Sequence, residues 1–214
     1  SARRARTKGL IVEEAGASAD RLVAPDRSAR WMRALVAFLC VQSLSVFALI
    51  AWVAPSAEAA GATPTASANM LGLLSALQVI SGVAFPMVAQ RWRCAGALLV
   101  VSGAGVLLGS AVFLVLVVHL QQLAGGWLAV GLMALGHGGS FAMANFIVAA
   151  RSRNSDEAVR FGAHMMLWSQ LAGAAGPLLL GALRDLGGYP AMWWALTLIG
   201  GLQVACALGF TRQA

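Results

Sequence analysis

Six apolar runs, at approximately 32–53, 69–90, 94–117, 127–150, 161–183 and 190–210, constrain this chain more than any other feature. Each is about 20 residues or slightly longer, and at ~1.5 Å rise per residue such a helix spans the ~30 Å hydrocarbon core of a bilayer. Inside hydrocarbon every backbone amide and carbonyl must be satisfied within the segment, which makes helices the expected form. Hydrophobic residues make up 59% of the 214 and charged residues only 11%, where a soluble domain carries about a quarter. The mean hydropathy of +0.77 agrees. The expected fold is an all-α membrane protein, with six transmembrane helices forming one bundle over 31–214 and a hydrophilic segment, 1–30, before it.

The formal charge of +7 would point to nucleic acid if the arginines shared a face. They occupy the gaps between apolar runs instead, so no nucleic-acid partner is expected and positive-inside topology explains them better. Eight Lys/Arg precede or include Arg33; Arg91 and Arg93 fill the second gap, Arg151, Arg153 and Arg160 the fourth, and Arg212 follows the last run. The first and third gaps hold none and the fifth only Arg184. Both termini are therefore expected on the cytoplasmic side. Segment 1–30 is too hydrophilic for a signal peptide, and Glu13, Glu14, Asp20 and Asp26 argue against a transit peptide. Starting at Ser, it reads as a cytoplasmic tail or linker cut from something longer, without a fold of its own. Cys40, Cys94 and Cys206 are scattered among apolar residues with no metal-ligand spacing, and read as packing residues.

Polar side chains inside the runs carry the functional reading. From Trp127 to Gly188 the chain reads as two apolar helices joined by a charged loop, RSRNSDEAVR, with His137 in one helix and His164 in the other. Glycines around His137 and the Gly176-Pro177 pair are expected to loosen these helices, and polar groups beside helix breakers at membrane depth mark a lined cavity. In the first run Gln42, Ser45, Leu49 and Trp52 share a face, and Pro55 and Pro64 are expected to close the helix into a loop. In the second, Gly72, Ser75, Gln78 and Gly82 share a face, and Pro86 is expected to bend its end. For any one of these groups, a hydrogen bond to a neighbouring helix competes with contact to a solute. The third run, with Ser102, Gly105 and Gly109, and the sixth, with Gly200 and Gly201, read as outer supporting helices; Trp193 and Trp194 suit an interfacial belt.

Three stretches carry a resemblance: AFLCVQSLSVFALIAWVAP, LGHGGSFAMANFIVAARSRNSDEA and QLAGAAGPLLLGALRDLGGYP. In order and spacing, over about 31–212, they resemble the carboxy-terminal half of a major facilitator superfamily transporter, in its cyanate and nitroimidazole permease-like branch. The loop at Arg91-Trp92-Arg93 departs from the Gly-x-x-x-Asp-Arg lead-in of many members. The resemblance implies a multi-pass permease of a bacterial-type inner membrane, with the first, second, fourth and fifth helices lining a path for a small-molecule solute. It also implies a partner, the amino-terminal six-helix half, in the same chain or separate. The candidate lining residues are then Gln42, Ser45, Trp52, Gln78, His137, Ser140, Trp168 and Gln170, with Gly176 and Pro177 as a hinge.

No cofactor or metal is implied, and no Asp, Glu, Lys or Arg lies centrally in any run, so histidine is the one residue there that titrates near neutral pH. A non-transporting membrane subunit or truncated inactive fragment is an open alternative. An intramembrane hydrolase using Ser140 with His137 or His164 is another, but there is no Gly-x-Ser-Gly element and no orienting acid.

Overall fold

The computed structural model describes residues 27–212, and among them the chain is helical with no strand. Five helices among the described residues are long and apolar enough to cross a membrane. They are α1 (Arg27–Ala59), α2 (Pro64–Trp92), α3 (Ala95–Val112, prolonged by the π-helical turns Phe113–His119), α4 (Leu123–Arg151) and α5 (Ser155–Thr211). The tail expected over 1–30 lies outside the described residues except for its last four, which open α1.

The six apolar runs thus fall on five helices, because the last two share the 57-residue α5. Its helical dihedrals fail at Gly187 (φ −139°, ψ 15°) and Gly188 (φ 72°, ψ −175°). Gly188 occupies a region nearly closed to residues with a Cβ, so the reversal is written into that glycine. The first arm, 155–186, climbs along α1, where an added Cβ on Gly181 would touch the Trp52 ring. The second arm, 189–211, returns: Trp193 Nε1 donates to Ser56 Oγ at 2.9 Å, and Phe210 lies under Arg151 at the opposite end.

Several local expectations are corrected. Pro55 does not end the first helix; α1 runs through it to Ala59, and the loop is confined to 60–63. A proline costs one backbone hydrogen bond, and here the helix continues past it within apolar packing. Thr63 caps α2 by accepting from Ala66 N, with Pro64 at its first position. The charged loop shrinks to 152–154, since Asn154 accepts from Glu157 N and draws Asp156 and Glu157 into the first turn of α5. Trp193 is not an interfacial residue. It is fully buried and stacked on Phe113, with ring centroids 4.0 Å apart, while Trp194 stays exposed.

Small residues set the helix spacing. Gly105 faces the Leu132 carbonyl, Gly109 faces Ala129 and Met133, and Gly136 faces the Ser102 carbonyl, so α3 and α4 touch backbone to backbone. Gly200 meets the Leu107 backbone, and Gly103 meets Val204. Close approach of this kind is what small residues permit where no water drives association. Arginines gather at one end: the Arg151 guanidinium lies over the rings of both Trp31 and Phe210, at 5.6 and 5.0 Å. At the other end Arg184 lies 4.6 Å from the Trp52 ring and pairs with Asp185.

Candidate functional site

A cleft of about 740 Å³ opens between α1, α2, α4 and the first arm of α5. Neither α3 nor the second arm of α5 lines it. These are the four segments that polarity alone sets apart.

The glycines around His137 build one wall of this cleft, in a way the sequence reading had differently. They do not loosen α4, which stays helical from Leu123 to Arg151. They let three neighbours approach. Gly136 packs on α3, while a Cβ on Gly138 would lie 2.1 Å from the Gln78 carbonyl and one on Gly139 would enter the Phe85 ring. Held between α2 and α3, α4 presents His137 toward α1, where Gln42 Nε2 donates to the His137 carbonyl at 3.4 Å. Ser43 Oγ donates in turn to Gln42 Oε1 at 3.3 Å.

Two lining residues carry buried polar atoms with no hydrogen-bond partner, Gln78 Nε2 and His137 Nδ1. His137 is only 2% exposed. An unsatisfied buried donor or acceptor costs about 1–3 kcal/mol, so most such groups in folded proteins are paired. Both belong to residues that line this one cleft, on α2 and α4, with the unpartnered atoms themselves lying beneath its surface. Gln170, exposed on the first arm of α5, faces the same space. Phe47 and Phe141 add aromatic surface.

Of the residues singled out from sequence, then, Gln42, Gln78, His137 and Gln170 are brought together. Ser45 is fully buried and donates to the Gln42 carbonyl within its own helix. Ser140 is fully buried too, its hydroxyl accepting from Gln203 Nε2 of the second arm at 2.9 Å. Trp52 donates through Nε1 to the Pro177 carbonyl at 3.0 Å, binding α1 to α5 away from the cleft. Trp168 stands with His164 in a different pocket. Gly176 and Pro177 lie in unbroken helix, Gly176 against the Leu44 carbonyl. Sequence reasoning missed Ser43, Phe47 and Phe141. Their signal is an i, i+4 relation from Ser43 to Phe47 and from His137 to Phe141, visible only once those faces are known to point inward.

No known protein family and no curated protein matches this chain.

Proposed function

We propose that the chain is the six-span half of a secondary transporter, in the manner of the major facilitator superfamily, moving a small polar or weakly anionic solute by alternating access. The observation that carries this reading is the cleft with its two unpartnered buried atoms, Gln78 Nε2 and His137 Nδ1. Its lining holds no Asp, Glu, Lys or Arg, which suits hydrogen bonding against an aromatic wall rather than a salt bridge. Sites of this kind lie near the midplane between two bundles, and α2 is buried over only 11% of its most apolar stretch. That leaves a broad face for a partner bundle, in the same chain or a separate one. Folding back at Gly187-Gly188 turns five helices into six crossings.

The test is solute uptake and folded yield for Gln78→Ala and His137→Ala in the complete carrier. Each substitution removes about one hydrogen bond to solute, so uptake at low concentration should fall roughly tenfold while yield and Tm hold. Parallel loss of yield and uptake would make both side chains structural and end the site assignment.

Orientation has its own check. Thr63 and Ser155 are exposed at opposite ends of the bundle, and the arginine-rich end is the cytoplasmic one in this reading. Cysteines placed there should label from opposite faces of the membrane, with Thr63 outside. Labelling of both from the outer face would remove the six-crossing topology.

A further inference from the structure

The two unpartnered atoms of the cleft belong to one helix contact. Gly138 follows His137 and packs so tightly on α2 that an added Cβ would lie 2.6 Å from Gln78 Cα. Gln78 and His137 therefore leave facing turns, and each is the central residue of a 29-residue helix. Within that contact lie a buried amide nitrogen without an acceptor, Gln78 Nε2, and a buried ring nitrogen without a partner, His137 Nδ1. The neighbouring polar groups are already engaged. Gln42 Nε2 donates to the His137 carbonyl while its Oε1 accepts from Ser43. The Ser81 hydroxyl is taken by the carbonyls of Gln78 and Ala134.

A neutral imidazole carries one N–H and one bare nitrogen, and its surroundings decide which is which. No carboxylate lines the cleft to pair with a doubly protonated ring. A proton on Nδ1 would bury two N–H donors side by side, the ring's and the Gln78 amide's, with an acceptor for neither. A proton on Nε2 instead leaves the bare Nδ1 lone pair beside the amide N–H, where the two dipoles attract. Orphaned buried N–H groups are also rarer than under-satisfied acceptors. Both arguments place the proton on Nε2, the ring nitrogen that is not sealed between the helices.

We propose that Gln78 is a positioning residue that holds His137 in its Nε2–H tautomer, so that the cleft offers an imidazole N–H to its solute. The solute class this selects is one that brings an acceptor, a carbonyl or carboxylate oxygen, to the middle of the bundle. Gln78 Oε1, likewise not sealed, is left for a donor on the same solute. The solute class rests on the transport reading above, whereas the tautomer is a property of the folded chain alone.

The test is nitrogen NMR of the protein in lipid bilayers at neutral pH, with its three histidines labelled at both ring nitrogens and His137 assigned by loss of its signals in His137→Gln. Wild type is expected to show a bare Nδ1 and a protonated Nε2 at His137. Gln78→Glu, which turns an acceptor toward the ring, should move the proton to Nδ1. Gln78→Met, of similar length and without the donor, should raise the Nδ1–H share about fivefold, the worth of one hydrogen bond. Unchanged His119 and His164 signals report an intact fold in each variant. Formate, a probe with acceptors alone, should shift Nε2 and leave Nδ1 in place; methylammonium, with donors alone, should shift neither nitrogen. A protonated Nδ1 in wild type would overturn the proposal, as would one tautomer shared by wild type and both Gln78 variants, or an Nε2 that ignores formate. The expected tautomer and formate response in a protein without uptake would leave this inference standing and remove the transport reading instead.

Discussion

Gly138→Ala is expected to lower the Tm and folded yield sharply, although alanine is the better helix former by about 1 kcal/mol. The added Cβ would lie 2.1 Å from the Gln78 carbonyl, 2.3 Å from Ser81 Oγ and 2.6 Å from Gln78 Cα. Two of those atoms are backbone, so no rotamer change relieves the clash and α2 itself must move. Overpacking of this kind costs ~1–3 kcal/mol and occasionally more. Moving α2 also shifts Gln78, so what folds should have a distorted cleft. Gly201→Ala is the control, since a Cβ there meets nothing within 4 Å; it should leave the Tm unchanged or slightly raised. Equal melting of the two variants would show that α2 and α4 are not in backbone contact at Gly138.

How far the sequence could see depends on whether one helix or two decide a feature. Run lengths and arginine placement are properties of single segments, and they recover the helices and the basic end. The spacing of Gly105 and Gly109 is also a one-helix signal, and it correctly marks a close-packed face. Which polar residues share a cavity is a two-helix question. Gln42 and Ser45 lie on similar faces of α1, yet Gln42 reaches the His137 carbonyl while Ser45 turns back to its own helix. Ser140, one turn from His137, is taken by Gln203 from an arm of α5 that the spacing alone could not place beside it. Trp52, a candidate lining residue by its face of α1, gives its indole N–H to the Pro177 carbonyl instead. The glycines beside His137 illustrate the same limit: one glycine-rich segment reads equally as a weak helix or as a crowded one, and only the neighbours decide.

If the chain is the carrier half proposed above, Pro177→Ala should slow turnover of the complete carrier about fivefold or more while leaving solute affinity near its starting value. The first arm of α5 is pinned on its outer half, where Trp52 Nε1 holds the Pro177 carbonyl and Gly181 abuts the Trp52 ring. Gly173 packs against the Phe47 ring and Gly176 against the Leu44 carbonyl, so the two helices are also in close contact over the turn that leads into the proline. Proline 177 has no amide hydrogen, so the Gly173 carbonyl lacks its usual donor four residues on. That missing bond sits between the pinned outer half and Gln170, whose side chain faces the cleft. The backbone is helical through this turn here, so the proline does not bend the arm in this state; it lowers the cost of bending it. Supplying the absent hydrogen bond adds about 1 kcal/mol against flexure, which is the fivefold expected. Solute contacts are untouched, because neither Gly176 nor Pro177 lines the cleft. Turnover and affinity are measured separately, by counterflow rate and by equilibrium binding. If binding were lost while bound solute still turned over normally, Gly176-Pro177 would be shaping the site and the hinge would have to be sought elsewhere.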